Sequence, residues 1–100
     1  MIEGLRARFM SRFLESARSR VGRASKARRA GNANSFEQIV SEMHALAGEA
    51  ALLEIGDVAH AARECEEAAR RGDGAGVDMA LGRVEATATL CSQNDPSAAK

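Results

Sequence analysis

His44 is the residue in this 100-residue chain best placed to do chemistry. An imidazole free of perturbing neighbours titrates at about 6.5, so near neutral pH much of it is an uncharged nucleophile. The stretch Glu42-Met43-His44-Ala45-Leu46-Ala47-Gly48-Glu49-Ala50-Ala51 reads as helix, with Phe36, Val40, Met43, Ala47 and Ala50 on one apolar stripe. His44 falls just off that stripe, at the edge between core and solvent. Gly48 lies one turn later on the same flank. Helical side chains lean toward the N-terminus, so a residue at i+4 would normally lie over the imidazole. A glycine there costs the helix about 1 kcal/mol relative to alanine, and it leaves His44 uncovered. The rival readings are a half-buried histidine held by packing, and a glycine present to let two helices approach closely. Ser41 and Glu37, one and two turns before His44, are placed to orient the ring or a bound water.

The other reactive residues carry weaker signals. His60 has only Glu64 at i+4, too little for a metal site, and reads as structural or solvent-facing. Cys65 and Cys91 lack CxxC or Cys/His ligand spacing, so no metal is expected, and both read as small buried hydrophobes of a cytoplasmic protein. No Gly-rich phosphate loop or Walker motif is present, which argues against ATP-using activity and against a bound cofactor.

Helices must position these groups. Hydrophobic residues make up 45% of the chain but aromatics only 3%, a balance that favours helices packed through small side chains over a β-sandwich. A first amphipathic helix spans about Glu3 to Arg29, with Leu5, Phe9, Phe13, Ala17, Val21 and Ala24 inward. A loop at Ala30–Asn34 follows, with Gly31 as the stop and Ser35 as N-cap of a capping box closed by Gln38. The second helix runs from about Phe36 to Leu53, then a tight junction forms at Glu54–Asp57, where Gly56 takes the conformation other residues resist. A third helix, about Asp57 to Arg71, places Val58, Ala62, Cys65 and Ala69 inward and Glu64, Glu66 and Glu67 outward. After the break Gly72–Gly76, a fourth helix from about Val77 to Cys91 turns Val77, Leu81, Val84, Ala88 and Cys91 inward. The expectation is an all-α, antiparallel four-helix up-down bundle, one domain over residues 1–92 with a disordered tail at 93–100. Its core, largely Ala, Val and Leu, should be thin and its stability modest.

The zero net charge conceals a split. Residues 1–34 hold nine Lys/Arg against two acids, a balance of +7, whereas residues 35–100 hold five against twelve, a balance of −7. Either a basic helix lies against an acidic bundle, or a basic surface is offered to an acidic partner. No apolar run is long enough to span a bilayer, and the start lacks a signal-peptide core.

On His44, Leu46 and Gly48, followed by Ala50, Ala51, Leu52 and Leu53, and on the later run Asp57–Glu67, the chain resembles the histidine phosphotransfer (HPt) domains of bacterial multistep phosphorelays. The resemblance covers about residues 5 to 90. It departs at Ala47, where many members carry a lysine that helps hold the phosphoryl group, and at Glu54, which stands where the family places its turn glycine. It implies that His44 accepts a phosphoryl group on Nε2 from a receiver-domain aspartate and passes it to another. The partners implied are receiver domains of response regulators or a hybrid histidine kinase, with Mg²⁺ on the receiver and not on this chain. Helices one to three around His44 would form the docking face, with Arg6, Arg8 and Arg12 as candidate contacts. A monomer without nucleic-acid or membrane partners is expected. Two alternatives stay open: a helical adaptor that docks receivers without accepting phosphate, and a basic-helix module for nucleic acid or acidic membrane.

Overall fold

The computed structural model describes residues 2–94, the side chains of Ile2, Glu3, Arg6 and Asn94 excepted. Four helices account for nearly all of it: α1 Ile2–Ala30, α2 Ser35–Leu52, α3 Gly56–Arg70 and α4 Gly74–Asn94. Short connections make successive helices antiparallel, and each packs against its neighbours in chain order, with α4 closing back onto α1. This is the expected four-helix bundle. The α1–α4 seam is the least extensive of the four. Among the described residues no helix is long and apolar enough to cross a membrane.

Alanine sets the packing. Of the 22 buried apolar residues described, 11 are alanines, and Ala59, Ala61, Ala62, Ala68 and Ala69 all come from α3. A helix wedged between two others needs small side chains on both flanks, which α3 supplies toward α2 and α4. The larger fully buried side chains are Ile39, Met43, Leu46, Val58, Val77 and Val84. The stripe expected on α2 is rotated: Ile39 and Leu46 are fully buried, while Phe36 and Val40 are only partly covered. On α1, Phe13, Ala17, Val21 and Ala24 point inward as expected, but Leu5 and Phe9 remain 53% and 48% exposed. The reason is length. At 29 residues, α1 runs about 43 Å, and its first buried residue among those described is Met10. The turns before Met10 overhang the bundle.

The turns depart from expectation in instructive ways. Beyond α2, the Ile55 N–H donates to the Ala50 carbonyl at 2.8 Å and the Glu54 N–H to that of Ala51 at 3.1 Å. Beyond α3, the Asp73 N–H donates to Ala68 at 2.9 Å and the Gly72 N–H to Ala69 at 3.0 Å. Both stops are Schellman motifs, which require a left-handed residue just past the helix. Gly72 fills that place with φ +67°, and Glu54 fills the other with φ +59°. Glu54, not Gly56, therefore takes the unusual conformation; Gly56 is simply the first residue of α3. The capping box at Ser35 does not form either. Asn34 is the N-cap without a side-chain bond, and the Ser35 hydroxyl accepts the Asn32 N–H at 2.9 Å. The tight loop brings Asn32 within reach and diverts the hydroxyl from its own helix. Asp73, inside the glycine-rich break, caps α4: its Oδ1 accepts the Gly76 N–H at 2.9 Å. As a result α4 begins three residues earlier than its apolar pattern indicates. It also continues through Gln93 and Asn94, so the expected tail starts inside the helix; its remainder, 95–100, lies outside the described residues.

Candidate functional site

His44 projects from the middle of α2 with its side chain 74% exposed. The ring leans toward α3, where its Nδ1 lies 3.1 Å from Oε2 of Glu66. An ionised carboxylate can only accept, so Nδ1 carries the proton and donates it to Glu66. In the neutral ring this arrangement leaves Nε2 with an in-plane lone pair, and Nε2 has no partner among the described residues. Glu66 is itself held. Its side chain is only 12% exposed, and Arg70, one turn further along α3, donates Nη2 to the same Oε2. Glu66 was expected on the outer face; it lies instead one turn after Ala62 and two turns after Ala59, both buried. The signal in the sequence was a carboxylate one turn after the inward Ala62.

His44, Ala47, Gly48, Arg63, Glu66, Glu67 and Arg70 line a surface cleft of about 410 Å³ between α2 and α3. Gly48 has open space around it: a Cβ added there would meet nothing within 4 Å. Close packing therefore does not explain the glycine, which leaves the cleft surface one turn after His44 without a side chain. Ala47 is 4% exposed and contributes a single methyl to the cleft floor.

Ser41 and Glu37 are not among the residues brought to the ring. Both are exposed, and Ser41 lines a different cleft with Arg23, Lys26 and Glu42 on the α1 side. The ring's hydrogen bond goes across to α3 because His44 sits on the α3 side of the outward face, while Ser41 is turned toward α1. Arg8 and Arg12 are exposed on α1, and the side chain of Arg6 lies outside the described residues. Arg12 lines an apolar groove of about 440 Å³ with Phe9, Phe13, Ser16, Glu49, Leu52 and Leu53. Leu52 is 85% exposed and stands at i+8 from His44, so the row His44, Gly48, Leu52 runs from the cleft to this groove along one side of α2.

The first reading of the charge split is the one the ion pairs show. Arg20 bonds Glu49 through Nε and Glu42 through Nη1, each at 3.0 Å, and Arg23 bonds Glu42 at 2.7 Å. Ser16 adds its hydroxyl to Glu49 at 3.1 Å. The Arg23 and Arg20 hydrogen bonds hold the Glu42 carboxyl below its ordinary pKa, against burial, and Glu49 foremost raises that of Arg20. Arg28 crosses to Asp78 of α4 at 3.0 Å. So the basic helix does lie on an acidic bundle, while Arg8, Arg12 and Arg18 face solvent.

The remaining candidates are quiet. His60 is 79% exposed beside Glu64 at 3.9 Å. Cys65 is fully buried, and burial foremost pushes its thiol up to about 11. Cys91 is half-buried, its Sγ 3.7 Å from Sδ of Met10.

Comparison with curated proteins and with solved structures returns no match. The family model described as Hpt domain matches residues 8–93, a span that takes in all four helices and both walls of the cleft. With a four-helix bundle and an exposed histidine on its second helix, the chain belongs to the Hpt domain family.

Proposed function

We propose that this chain is a cytoplasmic, monomeric phosphoryl carrier in which His44 takes a phosphoryl group from one receiver-domain aspartate and delivers it to another. The observation that carries the reading is the divided imidazole: Nδ1 is committed to Glu66 and Nε2 faces solvent. In the forward step the Nε2 lone pair attacks phosphorus in line, the N–P bond forms and the bond to the aspartate oxygen breaks. The carboxylate leaves with the electron pair, Nδ1 keeps its proton, and Glu66 balances the positive charge that spreads over the ring. Reversal onto a second receiver regenerates the neutral imidazole. Positioning and charge neutralisation do most of the work in such transfers, and the Mg²⁺ belongs to the receiver.

Docking fits the row from His44 over Gly48 to Leu52 and the Phe9 groove, with Arg12 in its lining and Arg8 exposed on the same helix. An apolar centre with the exposed Arg12 beside it suits a partner whose reactive aspartate sits in an acidic pocket.

Incubation with a phosphorylated receiver domain tests the reading. The wild-type chain acquires acid-labile, alkali-stable label, and His44→Gln acquires none while keeping its helical circular dichroism. Label that persists in His44→Gln sinks the assignment. Receiver binding without any transfer, unchanged by that substitution, identifies an adaptor instead.

A further inference from the structure

Building on the phosphocarrier reading, we propose that Arg63 is the cation that neutralises the phosphoryl group on His44, reaching it from α3 across Ala47. A phosphoryl group brings about −1.5 to −2 charges into a cleft whose own side chains balance, Arg63 and Arg70 against Glu66 and Glu67. Such a group needs a donor that is not already committed. Arg70 is engaged by Glu66, which in turn holds the ring. Arg63 is exposed at the same cleft and makes no hydrogen bond or ion pair to any described residue.

The register places it correctly. Because α2 and α3 are antiparallel and His44 faces Glu66, three residues forward along α2 correspond to three residues back along α3. Ala47 is therefore opposed by Arg63. Ala47 offers only a methyl and Gly48 no side chain on the cleft surface they share with Arg63 and His44. A guanidinium offers planar, paired N–H donors that match phosphate oxygens, and it stays charged at any working pH. Glu67, the remaining acid of the cleft, has no cation partner among the described residues and faces solvent, so it adds to the negative charge that an incoming phosphoryl group meets.

Phosphoramidate is the probe, since it needs no partner protein. In its zwitterionic form the His44 Nε2 attacks phosphorus, the donor's P–N bond breaks, and ammonia leaves with that electron pair; Nδ1 retains its proton. Initial uptake is followed by ³¹P NMR in the wild type, Arg63→Ala, Arg63→Lys and the double variant Ala47→Lys/Arg63→Ala. Arg63→Ala is expected to slow uptake about tenfold, the scale of one lost charge-assisted contact, with unchanged circular dichroism. Arg63→Lys keeps part of the rate, and the double variant, which moves the charge to the facing wall, recovers most of it. Uptake by Arg63→Ala at the wild-type rate, or no recovery in the double variant, overturns the role of Arg63 and leaves His44 as carrier. A wild-type chain that takes no label overturns the carrier reading and this role together.

Discussion

The two nitrogens of His44 are given separate tasks by one carboxylate, and that division sets what happens when the carboxylate is removed. Without Glu66 the ring rotates freely, populates both tautomers and loses the counter-charge for its cationic state. Glu66→Ala is expected to slow phosphoryl uptake by His44 about tenfold, the equivalent of about 1.4 kcal/mol for a charge-assisted hydrogen bond. Glu66→Gln should recover part of that rate, since its amide oxygen still accepts the Nδ1 proton; quenched-flow labelling distinguishes the three. At this scale the sequence made His44 and Gly48 legible because both express themselves within one helix, through spacing alone. Glu66 and Arg63 are contributed by a different helix. Their approach depends on how far α3 slides along α2, which no local pattern encodes. Ser41 illustrates the converse: it shares the outward flank of His44 but lines the cleft on the α1 side, away from the ring's partner on α3.

At the scale of elements, the two Schellman stops form an internal comparison. Gly72 accepts the left-handed conformation freely, whereas Glu54 adopts it against the clash of its own Cβ, a cost of about 1–2 kcal/mol. Glu54→Gly is expected to raise stability by about 1 kcal/mol, less the entropy a glycine releases to the unfolded chain. Urea denaturation checks it: the midpoint rises with an unchanged slope. The turn is thus made by hydrogen bonds from Glu54 and Ile55 to the end of α2, strong enough to force a glutamate into a glycine's place. Apolar periodicity located the interiors of all four helices, because burial repeats every turn. The ends of the first three helices fall within one residue of that reading, but α4 is longer by three residues at each end, and the caps differ because they are single residues whose partners lie in the loops. The Ser35 hydroxyl answers to Asn32, and α4 starts where Asp73 caps it.

For the molecule as a whole, the bridge between α1 and α2 makes stability depend on pH. The Glu42 carboxyl, hydrogen-bonded by Arg23 and Arg20, has a lower pKa folded than unfolded. Its contribution is therefore complete above the ordinary value of 4.5 and is lost as pH falls through the lowered folded value. Thermal melts should show the wild type losing stability below that pH more steeply than Glu42→Gln, which is the less stable of the two at pH 7. The opposite charges of the two parts of the chain announced this bridge; only the folded arrangement assigned Arg20 and Arg23 to it and left Arg8 and Arg12 outside.

The overhang of α1 divides that helix into two regimes. From Met10 onward it is held by the bundle, whereas Phe9 is half-exposed at the Leu52 groove and the turn around Leu5 rests mainly on its own backbone hydrogen bonds; a short isolated helix is marginal in water. These first turns are therefore expected to exchange their amide hydrogens faster than the rest of α1, and a partner that docks there would order them. Part of any partner's affinity is then spent on winding the first turns of α1, and a change that pre-winds them, far from His44, tightens the encounter without adding a single contact.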